Sequence, residues 1–151
     1  MSEEKKKSLS AKKYLGQLQE LDININQDLE LLEEMKTDAC SVGGIDYSKE
    51  RVQTSCSGDS LGNAVTRYVS FDEHINAEID RFVDAKNKII AEIRGLHDKN
   101  YIQVLFKIYV QFKTVKQASK EMKMSYPYVI ELHNKALSEF EKTYKNLHYL
   151  I

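Results

Sequence analysis

The chain has 151 residues, enough for one domain or for a small domain with an extension. Charged residues make up 30% and apolar ones 42%, with one Pro, six Gly and no Trp, a balance that suits long exposed helices more than a broad core. A net charge of −1 excludes a uniformly basic or acidic protein, no run of about 18 apolar residues offers a membrane span, and no apolar segment follows the Lys-rich start to make a signal peptide.

Residues 1–8 are polar and are expected to be disordered. Ser10 is placed to cap a helix whose apolar residues recur at Ala11, Tyr14, Leu18, Leu21, Ile25, Leu32 and Met35. The 3/4 spacing is a heptad stripe with one break, at Asp28. A stripe this narrow must bury against a second helix. Residues 37–60 interrupt the pattern with Gly43, Gly44, Gly58 and several Ser, and predict a long flexible loop. Within it, Arg51, Thr54 and Ser55 carry groups suited to phosphate or a partner, although a solvated linker explains them as well. Cys40 and Cys56 fall in the same loop without the spacing of metal ligands, so they read as reduced thiols of a cytoplasmic protein.

A second long helix is predicted from about Leu61 or Ser70 to Leu96, with Ser70 and Glu73 as a capping box in the later case. Its stripe is Ile75, Ile79, Phe82, Ile89, Ile93 and Leu96, with Lys86 at one apolar position. The two helices match in period and length, which predicts a long antiparallel hairpin resembling a coiled coil, residues 1–96, with the loop at 37–60. Gly95 and His97–Asn100 mark the next boundary, and residues 97–151 form the second expected domain. Tyr101 to Phe112 reads as a compact helix with Val104, Leu105, Ile108 and Tyr109 inward.

The stretch Val115–Leu132 has the pattern of two short helices joined by a turn. Thr114 begins the first, whose inner residues are Val115, Ala118, Ser119 and Met122. Lys123 turns the chain, and Ser125 caps a second helix with Val129 and Leu132 inward and Pro127 in its first turn, where a missing N–H costs little. Small Ala118 and Ser119 permit close approach. This is the pattern of a helix-turn-helix, whose second helix lies in the major groove of DNA. The same pattern also occurs in all-α proteins that bind no DNA. Beyond it, Leu137, Phe140, Tyr144, Leu147 and Ile151 keep the 3/4 spacing with no Gly or Pro, so the last helix is expected to run nearly to residue 151.

Charge is distributed unevenly. Residues 99–145 contain nine Lys against four Glu, a net of +5, and residues 1–98 contain 13 Lys and Arg against 19 Asp and Glu, a net of −6. A basic helix-turn-helix segment beside an acidic arm is the electrostatic footprint of a DNA-reading module, although Lys also covers ordinary solvated helices.

The run from Leu105 through QASKEM, KMSYPYV and ELHNKAL resembles the C-terminal DNA-binding region of bacterial sigma factors. It is similar to the sigma-region-4-like helix-turn-helix of small phage-encoded regulators of the late-transcription and autolysin-regulator type. His133–Leu137 belongs to the likeness, as does VQTS at Val52–Ser55, and the likeness is good over residues 97–143. Lys123 stands where that family has Gly, at a cost of about 1 kcal/mol for a left-handed turn.

The resemblance implies a phage or prophage transcription regulator that binds double-stranded DNA. The acidic arm would dimerise, giving a homodimer, or touch RNA polymerase. Base contacts are expected from Tyr126, Tyr128, Ile130, Glu131, His133 and Asn134. Phosphate contacts are expected from Lys113, Lys116, Lys120, Lys123, Ser125 and Lys135. Two other classes fit the same pattern: a DNA-recognition adaptor such as the small subunit of a phage packaging terminase, and a purely structural coiled-coil protein. No phosphate loop, nucleophile motif or metal motif occurs, and His74, His97, His133 and His148 are scattered. The chain is therefore read as a non-enzyme with no cofactor, no metal and no membrane partner.

Overall fold

The computed structural model describes residues 8–41 and 60–150. Residues 1–7, 42–59 and Ile151 lie outside the described residues, and with them the expected disordered start and the readings made for Arg51, Thr54, Ser55, Cys56 and Ile151. The described chain is all helical: α1 (Ala11–Ser41), α2 (Ser60–Arg94), α3 (Lys99–Leu105), a π-helical turn that continues α3 (Phe106–Val110), α4 (Val115–Met122) and α5 (Tyr126–Thr143). None of these helices is long and apolar enough to cross a membrane.

α1 is longer than the sequence predicts, reaching Ser41 rather than stopping near residue 36. α2 begins at Ser60, next to the earlier of the two expected starts, Leu61, so Ser70 lies inside the helix and is not its cap. The described residues form two compact units, one within Met1–Asp22 and Arg81–Ile151, the other within Ile23–Asp80.

In the first unit, Ala11, Tyr14, Leu15 and Leu18 of α1 are buried, as are Ala85, Ile89, Ile93 and Leu96 at or just beyond the end of α2. Ala85 takes the inner place that the spacing assigned to position 86. Lys86 is half-buried, with its ammonium over the Phe82 ring. These residues share one core with Val104, Leu105, Ala118, Val129, Leu132, Ala136 and Phe140. α3 and α4 both pack on α5.

The helix expected over Tyr101–Phe112 is α-helical only to Leu105. Asp98 caps it, accepting hydrogen bonds from the Asn100 and Tyr101 N–H groups. The wider turn that follows adds a residue to its circumference, so Tyr109 and Val110 are buried and the expected Ile108 is only partly so. It closes through Lys113 N–H to Lys107 O (3.0 Å), with Phe112 at φ 56°.

The last helix also departs from expectation. It stops at Thr143, and Tyr144 is extended. The tail after it is held by groups distant in sequence: Leu9 N–H donates to Leu147 O (2.8 Å), Leu147 N–H to Ser8 Oγ (3.2 Å), and Leu150 N–H to Gln17 Oε1 (2.9 Å). Leu147 is buried, and the Tyr144 hydroxyl donates to Glu92 O (2.7 Å). That hydroxyl lies against Gly95, where any Cβ would collide with it. α1 gains its own cap from α5, because the Glu141 carboxylate accepts from Ala11 N–H (2.8 Å) at the positive end of the helix.

In the second unit, Ile25 and Ile75 are buried, while Ile23, Leu29, Leu31, Val65 and Val69 are exposed.

Candidate nucleic-acid interface

Three short segments build the site. Thr114 forms a complete capping box, accepting from Gln117 N–H (3.2 Å) while its own N–H donates to Gln117 Oε1 (3.0 Å). That fixes the start of α4 eight residues before the turn. α4 ends in a left-handed residue, Lys123 at φ 55°, ψ 42°. Lys123 N–H donates to Lys120 O (3.3 Å) and Met124 N–H to Ser119 O (3.0 Å), the paired bonds of a Schellman cap. Lys occupies the place where Gly is the usual residue, and the closed pair of bonds offsets the cost of about 1 kcal/mol. Met124 then packs against the core.

Ser125 stands at the N-cap position of α5, but its hydroxyl makes no capping bond, contrary to the sequence expectation. The first-turn N–H groups of α5 and the Ser125 hydroxyl are thus left beside one another at the helix start. Pro127 removes one of the N–H groups. The inner side of α5 is Val129, Leu132, Ala136 and Phe140. Ala118 and Ser119 of α4 are buried too, small enough for the two helices to approach closely.

Of the six expected base-contacting residues, Tyr126, Tyr128, Ile130, Glu131 and Asn134 are exposed. Tyr126 and Tyr128 are about half exposed, unusual for large aromatic side chains with no partner ring among the described residues. His133 is different. It is half-buried, its ring stacks on Tyr109 at 5.6 Å, and Nε2 lies 2.7 Å from the Tyr109 hydroxyl. Burial, with a smaller contribution from the Lys12 charge, lowers the His133 pKa from its ordinary value. Burial likewise pushes the Tyr109 hydroxyl up to about 12. Burial thus favours the neutral imidazole, which shares one hydrogen bond with the Tyr109 hydroxyl, and His133 faces α3 and its π turn, not the open side of α5. Its place one residue after Leu132 puts it at the margin of the inner stripe, where spacing alone does not separate packing from readout.

The expected phosphate contacts divide similarly. Lys116, Lys120 and Lys123 are exposed and make no ion pair among the described residues. Lys113 is committed, its ammonium 2.6 Å from Glu121, which also takes Lys107 at 2.8 Å. The hydrogen bonds from Lys107 and Lys113 hold the Glu121 carboxyl below its ordinary pKa. Lys135 pairs with Glu131 one turn before it (2.9 Å), and that bond raises the Lys135 pKa. Glu131 and Lys135 are both well exposed, so solvent and salt can separate them.

The sequence reading missed another constellation, in the second unit. Asp28, His74 and Glu78 bring their ligand atoms within 4.8 Å of one another. Two signals were available: Asp28 breaks the apolar stripe of α1, and His74 and Glu78 stand four residues apart on one helix face. Comparison with protein-family models, with curated proteins and with solved structures finds no match to this chain.

Proposed function

We propose that the chain is a sequence-specific regulator of transcription that binds double-stranded DNA, with α4 and α5 as a helix-turn-helix of the sigma-region-4-like kind found in phage regulators. The observation that carries this reading is the open end of α5. There Tyr126, Tyr128, Ile130 and Asn134 are exposed, and α4 and its turn add three exposed cations that make no ion pair among the described residues, Lys116, Lys120 and Lys123. A recognition helix presents this end to base edges, while lysines around it neutralise phosphates. Asn134 suits adenine, Tyr126 or Ile130 suits a thymine methyl, and Glu131 suits the cytosine amino group once Lys135 turns to phosphate. The Ser125 hydroxyl is placed for a phosphate oxygen. His133 is a positioning residue in this account, holding α5 on α3 through Tyr109, rather than a base contact.

The arm in this proposal is a long antiparallel hairpin of α1 and α2, acidic and suited to a second copy or to RNA polymerase. Support comes from within each unit: Tyr14 donates to Glu92 Oε1 (2.7 Å) in one, and Asp28 stands beside His74 and Glu78 in the other.

The test is selection of bound sequences from random duplexes, followed by titration of variants at several salt concentrations. The expected result is one enriched motif, with Asn134→Ala relaxing preference at one position by about 1–3 kcal/mol. Lys120→Ala should weaken binding to all duplexes and reduce the salt slope by about one unit. Unchanged affinity and slope in a variant with Lys116, Lys120 and Lys123 all replaced by Ala would reject this surface.

A further inference from the structure

We propose that Asp28, His74 and Glu78 form a binding site for a divalent first-row transition-metal ion, which staples α1 to α2. The three donors come from two helices. His74 and Glu78 are one turn apart on α2, and Asp28 reaches them from α1. The site is mixed, one imidazole nitrogen and two carboxylates, a donor set that suits Zn²⁺, Co²⁺ or Ni²⁺ better than the all-oxygen shell of Mg²⁺ or Ca²⁺.

The geometry fits one ion. His74 Nε2 and Glu78 Oε1 are 3.2 Å apart. With metal–ligand bonds of about 2.1 Å, two donors on the edge of an octahedron stand about 3.0 Å apart, and on the edge of a tetrahedron about 3.4 Å. The observed separation falls between them. The Asp28 carboxylate, within 4.8 Å of both, closes a triangle whose remaining face is open to water through the exposed His74. Two carboxylates balance the charge of a divalent ion. His74 is also oriented independently of its neighbour carboxylates, because Phe71 stacks on its ring at 6.2 Å with the planes 20° apart. Stacking on the ring face leaves the edge nitrogens available for coordination.

A second feature of the sequence accords with this. Asp28 occupies a position where the α1 stripe requires an apolar residue, and it is half-buried there. A carboxylate costs stability at such a place unless it has a cationic partner. A bound cation supplies that partner and converts the defect into a cross-link between the helices. This site shares no residue with the DNA-facing surface of α4 and α5, and metal binding at it does not depend on DNA binding there.

The test uses the full chain. Zn²⁺ is titrated calorimetrically in a non-chelating buffer, and thermal unfolding is followed with and without the ion. Wild-type protein should bind Zn²⁺ saturably and unfold at a higher temperature in its presence. His74→Ala, Asp28→Asn and Glu78→Gln should each weaken binding by about tenfold or more and reduce the thermal shift. Because His74 is exposed and the other two replacements preserve shape, circular dichroism should confirm that each variant folds. A double Cys40→Ser, Cys56→Ser variant should bind as wild type does. Co²⁺ should broaden the His74 imidazole resonances before those of His97 and His148. Equal binding by wild type and His74→Ala, or loss of binding in the double Cys variant, would overturn the assignment.

Discussion

His133 shows how burial decides the role of a side chain that spacing leaves open. Its folded-state pKa lies below the ordinary value because the charged ring is desolvated among α3, its π turn and α5. The sign of the pH effect follows. In the unfolded chain His133 binds a proton near pH 6.5, and in the folded chain it resists one. The penalty is absent above about pH 6.5 and grows as pH falls through that value, so the folded state loses stability on acidification. Replacing His133 with Gln keeps a hydrogen-bonding group for Tyr109 and removes the titration. Denaturant unfolding at about pH 7 and pH 5 should therefore show a smaller loss in His133→Gln than in wild type. Equal losses would show that the ring is not the acid-sensitive group. The Tyr109 contact also explains why the packing role of this residue is hard to read from sequence: its partner is 24 positions away, on a different helix.

At the scale of the element, the α4–turn–α5 region was the most legible part of the chain. Its information is local. The Thr114–Gln117 box, the small pair Ala118–Ser119, the left-handed residue at 123 and the inner Val129 and Leu132 are all set by neighbours within a few positions. Lys123 carries two opposed properties, a backbone conformation that favours Gly and an exposed ammonium two residues before the N-cap of α5. Lys123→Gly should separate them, stabilising the fold by about 0.5–1 kcal/mol while lowering the salt slope of DNA binding by about one unit. A variant that is more stable but keeps the full slope would remove Lys123 from the phosphate contacts. The π turn was not legible, because FKIYV has an unbroken apolar pattern that also suits an α-helix. Only the burial of both Tyr109 and Val110 in the core distinguishes the two. Asp28 was legible as a break in a stripe but not as a site, since its partners sit some 50 positions away on α2.

For the whole molecule, the extended tail was the largest departure. Residues 144–150 carry helical spacing, yet their backbone groups bond to Ser8, Leu9 and Gln17, and no local pattern encodes those bonds. Leu147 is the anchor, and its replacement by Ala should cost about 2–4 kcal/mol in denaturant unfolding. A cost under about 0.5 kcal/mol would mean that the tail contributes no packing in solution. The seam between the two ends of the chain also sets a schedule. Ala11 waits for Glu141, and Gln17 for Leu150, intervals of 130 and 133 residues. At a synthesis rate of about 5–20 residues per second, the first turns of α1 are made about 7–27 s before their partners exist. During that interval Leu15 and Leu18 lack most of the surfaces that later bury them, so the nascent chain is most open to chaperones, or to another unfinished copy of itself, at the end that was made first.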